Sequence, residues 1–244
     1  MLSREDLTAE SVDRWVAEAR EAGYDWFISH EQRAAELKSA LAEWTPGTDA
    51  WVFAYGSLMW NPALKWAERR VARVDGFRRS FCFWTPLGRG TPELPGLMLA
   101  LEAGGACTGI AWRIAAADVE EEFRILWNRE MISGIYRAVW LDAVDRDGNR
   151  LRALTFVVVP QHKQYAGELP LEQRAHYIAF AQGRIGCCRD YLAETVMQLR
   201  EMGAQDAYID ALVAEVRRCR REPHWPDPHP AGTGDQAGPG REES

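Results

Sequence analysis

The segment Trp51-Val52-Phe53-Ala54-Tyr55-Gly56-Ser57-Leu58-Met59-Trp60 is the most informative stretch of this 244-residue chain. Its first five residues are aromatic, β-branched or small, and this composition predicts a buried strand. Gly56 and Ser57 then predict a turn, because glycine lets the chain bend and lets a ligand approach the backbone closely. A strand that runs into such a turn leaves backbone N–H groups unpaired, and these groups can form a concavity for an anion or an oxyanion. A plain strand followed by a turn is the alternative interpretation.

Residues 118–130 predict a helix that carries one carboxylate on its apolar face. The apolar positions recur at helical spacing, at Val119, Phe123, Leu126 and Trp127. Glu130 falls on the same stripe, so we expect its side chain to point toward the core or a pocket. A carboxylate in that position is either functional or paired with an arginine such as Arg79 or Arg137 in a structural ion pair.

The other polar residues near the start of this helix receive structural interpretations. Asp118 and Glu121 fit a capping box, in which each side chain accepts a backbone N–H of the first turn. Glu120 and Glu122 lie off the apolar stripe, and we therefore expect both of them in solvent.

The rest of the chain predicts an α+β fold. Strand composition recurs at 71–74, 77–84, 97–101, 108–114, 136–144 and 151–159. Gly104-Gly105 separates two of these strands, and the Asp-Gly pair within 146–149 predicts a hairpin. Further helices are predicted at 8–22, from about Ser29, and at 171–182, 187–202 and 205–221. We expect a sheet of about six strands that closes into a small mixed or antiparallel β-barrel with surrounding helices.

The composition changes twice along the chain, and these changes predict three regions. Residues 1–48 form an N-terminal helical extension, in which Ser29 and Gln32 match a capping box. Residues 49–221 form one domain. Residues 222–244 are rich in Pro, Gly, His and acidic residues, and we expect a disordered tail.

The segment 88–96, Gly-Arg-Gly-Thr-Pro-Glu-Leu-Pro-Gly, connects two predicted strands. It contains too much glycine and proline for regular structure, and loops of this kind often cover or line a site. A plain connector is an equally good interpretation.

Composition excludes several classes of function. The formal net charge is −7, which argues against a nucleic-acid or membrane-surface partner because both need a basic face. No apolar run approaches the ~20 residues of a membrane span, and the N-terminus lacks the apolar region of a secretory signal. The five cysteines and five histidines match neither a disulfide framework nor a metal-site spacing. We expect a cytoplasmic protein without a metal or other cofactor.

A turn of free N–H groups beside one inward-facing carboxylate limits the chemistry. Glu130 has no second acid, metal or nucleophile beside it, so glycoside or peptide hydrolysis is not indicated. Such a site can catalyse a reaction in which the substrate supplies its own nucleophile. The protein then only binds and bends the substrate and moves one proton.

Five motifs, in this order and at this spacing, resemble the ChaC family of glutathione-specific γ-glutamylcyclotransferases. They are the segment 51–60, Arg79-Ser80-Phe81-Cys82, Gly88-Arg89-Gly90-Thr91, Trp127-Asn128-Arg129-Glu130-Met131 and Gly134-Ile135-Tyr136. The resemblance runs from about residue 51 to about residue 215 and implies a γ-glutamylcyclotransferase-like domain at 49–221. The chain departs from the family pattern at Ala54, where glycine is common, and at Cys187-Cys188.

The resemblance implies that glutathione is converted to 5-oxoproline and Cys-Gly, with Glu130 as general base and then general acid. It also implies that the backbone N–H groups of Tyr55, Gly56, Ser57 and Leu58 hold the γ-glutamyl group.

The same resemblance suggests further substrate-binding residues. Arg79 is expected to meet a substrate carboxylate, although an ordinary strand-edge arginine is the alternative. Tyr136 and Tyr165 are expected to form pocket walls, although packing in the core is the commoner fate of a tyrosine.

Two other functions stay open. The first is a cyclotransferase for other γ-glutamyl amides or dipeptides, and the second is a non-catalytic small-molecule binding module of the same fold. The presence of Glu130 argues against the binding module, because a protein that only binds has no need of it. The sequence does not predict an oligomeric state.

Overall fold

The computed structural model describes residues 4–221. The predicted disordered segment 222–244 lies outside these residues. The α-helices are α1 (Ala9–Glu21), α2 (His30–Ala42), α3 (Val119–Glu130), α4 (Leu171–Phe180), α5 (Cys188–Glu201) and α6 (Ala207–Arg221). The strands are β1 (Ala50–Ala54), β2 (Glu68–Thr85), β3 (Gly96–Ile114), β4 (Tyr136–Asp145), β5 (Arg150–Val158), β6 (Gln182–Gly183) and β7 (Gly186–Cys187). Within this part of the chain, no helix has the length and apolarity needed to cross a membrane.

The first five strands form a closed barrel in the order β1-β3-β2-β4-β5. Most neighbours are antiparallel, but β5 pairs with β1 in parallel, with Trp51 opposite Ala153, and this pairing closes the barrel. The core that fills and surrounds the barrel contains large, almost fully buried rings, including Phe53, Phe156 and Trp127. The α+β barrel expected from the sequence is therefore confirmed.

The prediction of about six strands was wrong in one respect, because two pairs of predicted strands are continuous. The segments 71–74 and 77–84 both belong to β2, and 97–101 and 108–114 both belong to β3. Gly104 and Gly105 have φ angles of +95° and +74°, and the register between β2 and β3 shifts opposite them, between Asp75 and Phe77. The two glycines thus allow a bulge inside a long ribbon instead of ending a strand.

The N-terminal segment packs directly on α3, the helix that carries Glu130. The Asn128 side chain donates to the Leu7 carbonyl at 2.9 Å, and the Ile28 amide donates to the Ile132 carbonyl at 3.1 Å. The predicted capping box at the start of α2 is present, with Ser29 as the N-cap. The contacts with Asn128 and Ile132 brace the C-terminal end of α3.

Two expectations for the start of α3 were wrong. Asp118 makes no side-chain capping bond, because its carboxylate accepts from Lys65 Nζ at 2.7 Å. The Glu122 side chain is 1% exposed and pairs with Arg4 at 2.6 Å. The helical pattern alone placed Glu122 in solvent, but the N-terminal segment covers that face and supplies the cation that makes burial of the carboxylate possible.

Candidate active site

The turn that follows β1 is a single 3-10 turn, Ser57–Met59. The Met59 amide donates to the Gly56 carbonyl at 2.8 Å, and this is the first hydrogen bond inside the turn. The amides of Ser57 and Leu58 come before this hydrogen bond, so neither of them donates to a carbonyl within the turn. The strand-then-turn interpretation of the sequence is confirmed. An anion site at the amides of the turn stays a prediction.

The carbonyl groups of this turn are held in place by long-range hydrogen bonds. Arg79 Nε donates to the Tyr55 carbonyl at 2.7 Å, and the Trp112 indole donates to the Leu58 carbonyl at 3.0 Å. The Tyr55 hydroxyl donates to the Phe156 carbonyl at 2.8 Å. Since both ends of the turn are anchored to the barrel, its amides are pre-oriented before any ligand arrives.

Gly56 is required because a tyrosine hydroxyl occupies the space where a side chain would begin. A Cβ at Gly56 would lie 2.7 Å from the Tyr191 hydroxyl oxygen. The Gly56 φ angle is −129°, so backbone strain is not the reason for a glycine here. The Tyr191 hydroxyl instead accepts the Ser57 amide at 3.3 Å. The glycine lets the tyrosine reach the turn.

Glu130 is the last residue of α3, and its side chain is only 14% exposed. Its ion-pair partner is Arg129, with 3.0 Å between Arg129 Nε and Glu130 Oε1. The sequence suggested Arg79 or Arg137 as the partner, and that suggestion was wrong. Neighbouring residues on a helix do not share a face, but at a helix end the long arginine side chain can fold back onto the carboxylate.

Arg129 also connects Glu130 to the turn. Its guanidinium donates to the Ser57 hydroxyl at 3.0 Å and to the Asn61 carbonyl at 2.5 Å. One buried cation therefore contacts the carboxylate at the end of α3, one residue of the turn and Asn61, which follows the turn. The turn and Glu130, which the sequence pointed to separately, are therefore connected through Arg129 in one group of contacting residues.

Burial controls the protonation of this group of residues. Loss of solvent raises the pKa of the Glu130 carboxyl above its usual value, and the charge and hydrogen bond of Arg129 partly oppose this rise. Burial also raises the pKa of Tyr55, Tyr136 and Tyr191, and the negative charge of Glu130 adds to each rise. The three hydroxyls thus stay protonated around a carboxylate whose pKa has moved toward neutrality.

Arg79 is buried, with its residue surface 2% exposed, so the strand-edge alternative does not describe it. Besides the Tyr55 carbonyl, its guanidinium contacts the Asp206 carboxylate at 2.6 Å and the Thr108 carbonyl at 2.8 Å. These contacts favour a role in holding the turn. Direct contact between Arg79 and a substrate carboxylate stays a prediction.

The two tyrosines expected as pocket walls lie in different surroundings. The Tyr136 hydroxyl donates to the Leu99 carbonyl at 2.8 Å, and its ring lies against Phe83 at 5.4 Å. The Tyr165 hydroxyl donates to Glu102 at 2.6 Å. The charge of Glu130 adds to the rise in the pKa of the Tyr136 hydroxyl. Roles of Tyr136 and Tyr165 as pocket walls stay predictions.

A separate cleft of about 560 Å³ lies away from Glu130. Its lining includes Arg79, Glu102, Arg174 and Asp206. Glu102, the partner of Tyr165, thus faces this cleft rather than the carboxylate at the end of α3. Neither Glu130 nor a residue of the turn lines this cleft.

Sequence reasoning missed the roles of Tyr191 and Arg129. Tyr191 falls on an apolar stripe of α5 with Cys188 and Thr195, so its burial could have been predicted from helical spacing. Its contact with Ser57, 134 residues away, has no local signal. Arg129 stands beside Glu130 in the sequence, but adjacency alone does not predict an ion pair.

Comparison with known proteins identifies the family of the chain. A family model described as ChaC-like protein matches residues 50–219. The chain belongs to the ChaC family. The Escherichia coli (strain K12) glutathione-specific γ-glutamylcyclotransferase is 39% identical over 199 residues, which cover 82% of this chain and 86% of that protein. The rat glutathione-specific γ-glutamylcyclotransferase 1 is 33% identical over 186 residues, covering 73% and 84%.

A solved structure extends the ChaC assignment to the fold. The selenomethionine-labelled γ-glutamylcyclotransferase specific to glutathione from yeast aligns with a TM-score of 0.67 at 21% identity. The alignment covers 73% of this chain and all of that chain. At this identity the likeness shows a shared barrel fold.

Proposed function

We propose that this ChaC-family chain is a γ-glutamylcyclotransferase that cleaves glutathione to 5-oxoproline and Cys-Gly. The observation that carries the proposal is the pairing of Glu130 with the turn through Arg129. The carboxylate is desolvated and has a raised pKa, which suits a group that takes up and returns one proton near neutral pH. The names of the similar bacterial and mammalian proteins support the same activity.

The reaction needs one proton acceptor and no external nucleophile. The Glu130 carboxylate removes a proton from the α-amine of the γ-glutamyl group, and the amine nitrogen attacks the side-chain amide carbonyl. The resulting tetrahedral centre collapses when Glu130 returns the proton to the departing cysteinyl nitrogen. The new C–N bond closes the five-membered ring as the old one breaks, so no water is consumed and orientation supplies much of the acceleration.

The segment Tyr55–Leu58 holds the γ-glutamyl group in this scheme. Its N-terminal amides face either the α-carboxylate or the oxygen that gains charge in the tetrahedral centre. Tyr136 closes the side of the pocket next to Glu130. Arg79 acts through the Tyr55 carbonyl, since its 2.7 Å hydrogen bond there fixes the start of the turn.

The direct test is an assay of the purified protein with reduced glutathione, with 5-oxoproline and Cys-Gly followed together by mass spectrometry. γ-Glutamyl-alanine is run in parallel. We expect both products from glutathione and little or none from the dipeptide. Activity on the dipeptide alone would move the assignment to other γ-glutamyl compounds. If folded protein turned over neither compound, the result would favour a binding module.

The pH dependence of kcat/KM should report Glu130. The base must be ionised to act, so activity should rise with pH as Glu130 loses its proton, and burial should place this acid limb above the usual pKa near 4.5. Arg129 lowers the pKa of Glu130, so Arg129→Gln should move the limb to higher pH. The measurement is kcat/KM against pH for both proteins.

Arg124→Gln is the matched control, because Arg124 lies on the same helix with its side chain 57% exposed. We expect its acid limb to coincide with that of the wild-type protein. A limb that stays in place or moves to lower pH in Arg129→Gln would mean that Glu130 is not the group that titrates in the activity.

A further inference from the structure

The segment that carries Arg89 is clamped against the β6–β7 hairpin. A Cβ at Gly183 would lie 2.3 Å from the Gly88 carbonyl oxygen, so the two backbones touch with no room for a side chain. The Ile185 amide donates to the same carbonyl at 3.1 Å. The loop 88–96 is therefore more than a plain connector, because the hairpin fixes the backbone on either side of Arg89.

The Arg89 guanidinium lies over the ring of Tyr191. Its Cζ atom is 5.1 Å from the ring centroid, and Nη1 donates to the Cys187 carbonyl at 2.8 Å. Nε is buried and has no hydrogen-bond partner among residues 4–221. No carboxylate within the same residues forms an ion pair with Arg89. This half-buried cation thus has a free donor and no counter-charge.

Arg89 and the turn contact opposite parts of the same tyrosine. The Tyr191 hydroxyl accepts the Ser57 amide, while the face of the ring lies under the guanidinium. Because the guanidinium lies over the ring face at 5.1 Å from the ring centre, it is roughly 6 Å from that hydroxyl. In glutathione, two residues separate the scissile γ-carbonyl from the terminal carboxylate, and two extended residues span about 7 Å. The two lengths are similar, so a γ-glutamyl group held at the turn places the terminal carboxylate near Arg89.

We propose that Arg89 binds the C-terminal carboxylate of the tripeptide substrate and thereby selects glutathione over γ-glutamyl compounds that lack this group. The inference rests on the proposed function. A guanidinium binds a carboxylate through charge-assisted hydrogen bonds, and Arg89 is half-buried, so its charge remains reachable at the protein surface. Contacts with the Tyr191 ring and the Cys187 carbonyl orient the Arg89 guanidinium before the substrate binds.

The test compares glutathione with its C-terminal carboxamide, which differs only in the charge of the glycine end. For the wild-type protein we expect kcat/KM to be at least about 10-fold higher with glutathione. Arg89→Gln should lower kcat/KM for glutathione by about 10- to 100-fold, mainly through KM, and should leave the carboxamide nearly unchanged. Arg184→Gln is the control, because it removes the same charge from an exposed position of the β6–β7 hairpin, against which the Arg89 segment packs, and it should behave as wild type.

Three other outcomes would overturn the inference. Equal use of both compounds by the wild-type protein would show that the terminal charge is not recognised. An equal loss on both compounds in Arg89→Gln would show that Arg89 only supports Tyr191. No turnover of either compound by folded wild-type protein would remove the proposed function itself, whereas loss of discrimination alone leaves the cyclotransferase assignment intact.

Discussion

Replacing Glu130 with glutamine should lower kcat for glutathione by roughly 10²- to 10⁴-fold, the range that a general acid–base group contributes. Glutamine nearly matches glutamate in shape, so the side chain should keep its place beside Arg129, but the amide cannot accept and return the proton. Substrate binding should survive. The measurement is steady-state turnover of glutathione together with binding of glutathione to the variant by calorimetry.

Glu120→Gln is the matched control, because Glu120 lies on the same helix with an exposed side chain. We expect it to turn over at the wild-type rate. Both variants should melt within a few degrees of the wild-type protein, which separates chemistry from folding. Near-normal turnover in Glu130→Gln would contradict the mechanism and would return Glu130 to the structural ion pair that its contact with Arg129 also permits.

Replacing Arg79 with methionine should lower the free energy of unfolding by about 3–5 kcal/mol, the cost of removing one partner of a buried ion pair. The Asp206 carboxylate would lose its cation, and the Tyr55 and Thr108 carbonyls would lose their donors. The loss is a large share of the stability of an ordinary domain. Denaturant unfolding followed by circular dichroism measures it.

Arg73→Met serves as the comparison. Arg73 lies on the same strand, but its side chain is 59% exposed, as is most of its partner Asp75. An exposed pair of this kind contributes at most about 1 kcal/mol. If Arg79→Met lost no more stability than Arg73→Met and instead raised KM for glutathione, Arg79 would be a substrate ligand, as the sequence first suggested, and not a support for the turn.

Much of the fold follows from local signals. The strand 51–55, the hairpin of β4 and β5 and the helices after residue 170 could be predicted because each depends on hydrophobic spacing and turn residues within about 20 positions. The β6–β7 hairpin was not foreseen, since Gly183 and Gly186 have the same composition as a simple helix break. Only packing against the loop 88–96 shows that they form a clamp.

The wrong prediction for Glu122 arose because a segment distant in the sequence covers that face of α3. Glu122 lies off the apolar stripe of its own helix, and hydrophobic periodicity can predict only the burial of that stripe. Its burial results from Arg4, 118 residues earlier in the chain. A hydrophobic pattern describes what an element needs to bury, but it does not identify the segment that covers the remaining faces.

The sequence by itself determined two elements of the candidate site, the strand that runs into a turn at 51–59 and the inward-facing carboxylate of Glu130, because each follows from local composition or from helical spacing. The tertiary structure decided what surrounds them. Arg129 and Tyr191 join these elements, and Arg89 is oriented over Tyr191, through side chains that meet only when α3, α5 and the loop before β3 pack around the barrel. Hydrogen bonds and burial of this kind depend on distance in space, which spacing along the chain does not encode.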